Sequence, residues 1–168
     1  MKFTEHIIKE EYSWSIKISN RILNLLKRIN DMSISDELFE IVFTIRNGKV
    51  LLWVRLFSND NLHCPIFINL DENIVDIQLK NGAEYLYLFP IETEVQLERL
   101  TETLEVLLTN PINERIYLIN EKVVGTSYTT FYKKGSLLKK YKFGSGKIWF
   151  PFWKRPGLKS TTYKPWID

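Results

Sequence analysis

The chain has 168 residues, 45% of them hydrophobic and 26% charged, which suits a single domain with a core of its own. It has one cysteine, Cys64, and therefore no internal disulfide, so the fold is expected to suit a reducing cytoplasm. No stretch approaches the uncharged apolar length of a transmembrane helix, and charges interrupt every short apolar run of "MKFTEHIIKEEY", so neither a membrane partner nor a secretory leader is expected.

The net charge of +3 hides a strong asymmetry. Residues 1–121 carry 12 Lys+Arg against 19 Asp+Glu, a net −7, whereas residues 122–168 carry 11 against a single acid, a net +10. Such a division implies either two faces with different partners or two halves that neutralise each other.

Near the N-terminus, "NRILNLLKRIN" repeats apolar residues at helical spacing and predicts a helix over 20–30. Residues 3–18 also fit a helical stripe. Within them "YSWSIKIS" alternates with a period of two, so helix and strand both remain open for 11–19. From 38 onward, β-branched and aromatic runs flank Asn47-Gly48, the dipeptide suited to a type I′ hairpin turn, and predict paired strands at 38–46 and 49–57. Further strands are expected in "CPIFINL", "NIVDIQL" and, after a second Asn-Gly at 81–82, "AEYLYLF".

The clearest helix is 93–109. Thr93 and Gln96 have capping-box spacing, and Leu97, Leu100, Leu104, Leu107 and Leu108 make one apolar stripe before Asn110-Pro111 ends the run. "RIYLI" and "KVVGTSYTTFY" read as strands, followed by a basic hairpin-like segment, "SLLKKYKFGSGKIWF", with Gly144-Ser145-Gly146 as its turn, and a basic aromatic tail. The expected fold class is α+β: one antiparallel sheet of about six or seven strands, with an N-terminal helix or helices and one central amphipathic helix packed on it.

No catalytic set emerges. His63 and Cys64 are adjacent and would point to opposite sides of an extended segment, so Cys64 reads as a core residue. Two histidines and one cysteine are too few for a zinc centre, and "GSGK" lacks the first glycine and the hydroxyl residue of a phosphate-binding loop. No catalytic residue, metal or cofactor is therefore expected, and the chain reads as a binding protein rather than an enzyme.

Two features invite a partner. The outer face of helix 93–109 carries Glu94, Glu98, Glu102 and Glu105, a candidate docking face for a basic protein such as a toxin domain. The tail "KIWFPFWKRPGLKSTTYKPWID" interleaves rings with cations, and Trp149, Trp153, Arg155 and Trp166 are its candidate anchors. The same rings could cover the core, or stack on single-stranded nucleic acid while the lysines follow phosphates. The function expected from this pattern is neutralisation of a macromolecular partner by steric and electrostatic occlusion, as by a bacterial immunity or antitoxin-type inhibitor. The alternative is a nucleic-acid-binding module built on the basic C-terminal segment.

Overall fold

The computed structural model describes residues 13–30, 39–46, 49–57, 61–80, 85–144 and 156–167. Two helices and nine strands follow one another along it.

The first helix, α1, spans Ser13–Asn30, so the alternating segment is helical from Ser13 onward. Its buried residues explain why. Ser15, Ile18, Ser19, Ile22 and Leu26 recur at helical spacing and face inward. The two serines are small enough to let the helix sit close, and the Ser19 hydroxyl donates to the Ser15 backbone carbonyl at 2.8 Å. The part of the expected helix before Ser13 lies outside the described residues.

A meander of five antiparallel strands comes next: β1 (Phe39–Arg46), β2 (Lys49–Leu56), β3 (Ile66–Asp71), β4 (Ile74–Leu79) and β5 (Tyr85–Pro90). Arg46 pairs with Lys49, which leaves Asn47 and Gly48 between them, as the sequence implies; those two lie outside the described residues. The inner face of this sheet is a continuous apolar layer of Val50, Leu52, Val54, Ile66, Ile68, Leu70, Val75, Ile77 and Leu79.

The second helix, α2, spans Glu94–Thr109. The Thr93 hydroxyl accepts from the Gln96 amide at 3.3 Å, and the Gln96 side chain accepts from the Glu92 amide at 2.8 Å, one residue earlier than in the usual reciprocal pair. All five leucines of the expected stripe are buried, joined by Thr103 and Val106.

Strands β6 (Ile112–Ile119), β7 (Lys122–Lys134), β8 (Leu137–Gly144) and β9 (Gly157–Tyr163) form a separate antiparallel sheet in the order β8-β7-β6-β9. The fold class is α+β, with two sheets in place of the single one expected. Strand pairing makes the difference. Strand β6 starts almost at once after α2 and takes both its partners, β7 and β9, from the chain that follows it rather than from the meander. Its hairpin to β7 turns on Asn120 and Glu121, both at positive φ (50° and 62°), and the β7–β8 turn uses Gly135 at φ 64°. The basic hairpin is therefore β7–β8, its turn between Lys134 and Leu137. The turn expected at 144–146 runs into residues outside those described. Strand β9, drawn from the supposed tail, lies at the sheet edge, where flanking prolines are tolerated.

The two sheets and both helices share one core, which ends in a buried polar tether. Glu114 on β6 is only 2% exposed. Lys80, just after β4 of the first sheet, donates to both its oxygens at 2.9 and 2.8 Å, while the Tyr128 and Tyr163 hydroxyls donate at 3.0 and 2.9 Å. Deleting the carboxylate would take an acceptor from two buried phenols and the counter-charge from Lys80. Glu114→Ala is expected to cost about 3–5 kcal/mol in urea unfolding, and Glu114→Gln distinctly less because an acceptor remains. An alanine variant as stable as the parent would show that the tether holds nothing.

Candidate functional site

Each of the four glutamates on α2 lies on the exposed side of the helix. Three are already engaged within the chain. Glu94 pairs with Lys17 of α1, Glu105 with Arg28 of α1 at 2.9 Å, and Glu102 with Lys134 of β7 at 3.0 Å. Exposed pairs are individually weak, yet a basic partner would have to displace three resident cations to reach them. Glu98 alone among the four has no ion-pair partner among the described residues. A groove of about 720 Å³ runs between α2 and the β7–β8 hairpin, and the Arg28–Glu105 and Lys134–Glu102 pairs both contribute to its walls.

Trp166 proves to be a core residue. It is 2% exposed, and its indole stacks on the His63 ring at 4.8 Å and donates to the Cys64 carbonyl at 2.8 Å. The amides of Trp166 and Ile167 both donate to the Leu108 carbonyl, at 2.7 and 2.9 Å. This satisfies an acceptor in the last turn of α2 that the helix leaves open. The accessible anchor expected at this position is thus replaced by a clip that seals the helix end. Trp149, Trp153 and Arg155 lie outside the described residues.

Cys64 is fully buried. Burial first, and the nearby Glu114 carboxylate second, push its thiol up to about 12, against the smaller opposing pull of Lys80. A protonated thiol is a poor nucleophile, in keeping with the core role read from the sequence. Burial and the bond to Glu114 likewise raise the Tyr163 hydroxyl. Among the described residues no group of three or more His, Cys, Asp or Glu is placed to hold a metal, and no helix is long and apolar enough to cross a membrane.

The surface with unmatched charge is the outer face of the second sheet. Register sets its membership, because directly paired residues share a face and neighbours along a strand alternate. Glu114 points inward with Tyr128, so Asn113 and Arg115 point outward, opposite Thr129 and Ser127 on β7 and Thr162 and Ser160 on β9. Thr129 in turn pairs with Lys142, Phe131 with Lys140, and Lys133 with Leu138. The face therefore carries Arg115, Lys133, Lys140 and Lys142, all exposed, and no carboxylate among the described residues. Phe131, 45% exposed, and Leu138, 68% exposed, lie among these cations, and the Lys140 ammonium sits 5.8 Å from the Phe131 ring centre. None of the four cations takes part in an ion pair among the described residues.

The outer face of the first sheet is balanced by comparison. Arg55 lies opposite Glu40 and near the Phe57 and Phe67 rings, and Asp76 accepts from Asn69 and Gln78. Sequence reasoning had placed the cations in the C-terminal third without singling out Arg115, Phe131 or Lys140. The signal was the alternation of "TTFYKK" and "LLKKYK", which assigns Thr129, Phe131 and Lys133, with Leu138, Lys140 and Lys142, to one side. Comparison with known proteins finds no family model, no curated protein and no solved structure that matches the chain.

The raised Cys64 pKa makes stability depend on pH. The folded state holds the thiol proton more tightly than the unfolded chain, whose value is near 9.0. Stability from this group is complete below that pH and falls as pH climbs toward about 12. The urea midpoint is expected to drop more steeply above pH 9.0 in the parent than in Cys64→Ala. At pH 8, alkylation of Cys64 by iodoacetamide should be far slower folded than in urea, because the buried thiol is held protonated and out of the reagent's reach. Equal rates in both states would contradict the buried thiol.

Proposed function

We propose that this protein is a non-enzymatic binding protein that neutralises or regulates a macromolecular partner by occlusion, in the manner of a bacterial immunity or antitoxin-type inhibitor. The observation that supports this best is the outer face of the second sheet: four exposed cations and two exposed apolar side chains in register, with no internal counter-charge among the described residues. Natural surfaces intersperse signs, and an uncompensated field of one sign on a rigid sheet steers a complementary macromolecule to it. The interspersed Phe131 and Leu138 supply apolar area that desolvation can use.

On this reading the docking face is the second sheet rather than α2, and its polarity is the reverse of the expected one. Glu94 and Glu105 instead pair with Lys17 and Arg28 of α1, and Glu102 with Lys134 of β7. The partner consequently presents an acidic surface rather than a basic one. Occlusion needs no chemistry from this chain, only a rigid platform, and a sheet backed by the shared core provides one.

The test is co-expression with the product of the adjacent reading frame. That product alone should arrest growth, and this chain should restore it by forming a complex that co-elutes in gel filtration. Reversing Lys140 and Lys142 to glutamate should abolish protection while leaving the unfolding midpoint unchanged, and Glu98→Lys should leave protection intact. Protection that survives the double reversal, or that is lost with Glu98→Lys, would move the docking face elsewhere. A neighbour that is harmless alone would remove the inhibitor reading.

A further inference from the structure

Within the cationic face, one place gathers several hydrogen-bond donors around a common space. A shallow trough of about 190 Å³ opens on the outer side of the second sheet, lined by Asn113, Arg115, Thr129, Phe131, Lys140 and Ser160. Three strands besides β6 contribute to it, so it exists only when the sheet is assembled in this register. Two cations from different strands, Arg115 and Lys140, share its lining with the hydroxyls of Thr129 and Ser160.

Asn113 adds a donor whose direction is fixed. The Thr162 hydroxyl donates to its side-chain oxygen at 2.8 Å. With that oxygen engaged, the amide nitrogen is the group left to serve a ligand, and it can only donate. Arg115, Lys140, Thr129, Ser160 and Asn113 thus offer donors around a space that would hold about six waters. A carboxylate accepts up to about four hydrogen bonds, so its oxygens can be satisfied here without stripping the site of every water.

We infer that this trough is the specificity pocket of the docking face and takes an aspartate or glutamate side chain from an acidic segment of a protein partner. The inference rests on the proposed reading that this face meets a macromolecule, and it names the chemistry of that contact. Charge complementarity selects an anion, and the trough selects among anions. Single-stranded nucleic acid needs open ring faces in series on which bases stack. Among the described residues of this face, the exposed ring in the trough is Phe131, and Lys140 already stands over it. A compact carboxylate needs no ring face. The hydrocarbon of a glutamate side chain would lie along the edge of Phe131 while its oxygens reach the donors.

The experiment is an amide-resolved NMR titration of the full chain with capped hexaglutamate and, separately, with hexathymidylate, at about 150 mM salt, where diffuse attraction is screened beyond about 8 Å. Hexaglutamate should shift the amides of Asn113, Arg115, Thr129, Lys140 and Ser160, and should bind more tightly than hexathymidylate. Arg115→Ala and Lys140→Ala should each weaken it up to about fivefold. Thr162→Val should also weaken it, by freeing the Asn113 amide to turn, whereas Lys122→Ala, at the far end of β7, should leave it unchanged. Tighter binding of hexathymidylate would overturn the inference in favour of a nucleic-acid face. Shifts spread over the hairpin lysines and indifferent to Arg115→Ala would overturn it in favour of diffuse attraction. A trough that binds the peptide in a chain that gives no growth protection would leave the pocket standing and sink the inhibitor reading. The converse result would do the reverse.

Discussion

The buried carboxylate of Glu114 is the constraint on which the arrangement of the second sheet depends. A charge taken almost wholly out of water is tolerable only with a cation and good donors around it, and Lys80, Tyr128 and Tyr163 supply them. Those partners come from just after β4, from β7 and from β9, so satisfying one side chain of β6 ties both sheets and four strands of the fold together. The same requirement fixes the pleat of β6. With Glu114 inside, Asn113 and Arg115 must face solvent, since a slip of one residue would exchange the two faces. The cationic surface and the tether are therefore two sides of one register.

Charge segregation along the sequence resolves into two different outcomes in space. The acidic helix is largely answered within the chain, by Lys17 and Arg28 from α1 and by Lys134 from β7. Only the last of these cations comes from the basic C-terminal third. Three of the remaining lysines of β7 and β8, Lys133, Lys140 and Lys142, alternate with Tyr132 and Tyr141. These turn toward α2, where the Tyr141 and Thr103 hydroxyls lie 3.5 Å apart. Period-two geometry thus puts Tyr132 and Tyr141, with Lys139, on the inner side and the other three lysines, with Phe131, on the outer one. Binding at such a face is expected to be sensitive to salt and fast to form, because long-range steering precedes contact.

Local signals carried the most where they were self-contained. The cap, leucine stripe and terminating Asn-Pro of α2 all point to one structure, and Asn47-Gly48 marks the first hairpin through its own backbone preference. Residues 13–19 were ambiguous because serines alternate with larger side chains there; tertiary packing decided for the helix by burying Ser15, Ser19 and Ile18 together. The division into two sheets was not visible because it depends on β6 pairing with β7 and β9 rather than with the meander, and strand partners far apart in sequence leave no local mark. Strand β9 was hidden in a segment rich in proline and rings, and Trp166 looked like an anchor because nothing local shows that the Leu108 carbonyl and the His63 ring await it. The trough needed four strands in register, which no single stretch of sequence displays.

The account stands most directly on the coupling between Lys80 and Glu114, since that pair joins the sheets and holds Arg115 outward. A double-mutant cycle in urea with Lys80→Met and Glu114→Gln measures it. The account predicts a coupling energy of about 1–3 kcal/mol, the double variant losing much less than the two single losses combined. Strict additivity, with the coupling near zero, would mean that the sheets are joined by apolar packing alone and that the outer face owes nothing to the buried carboxylate.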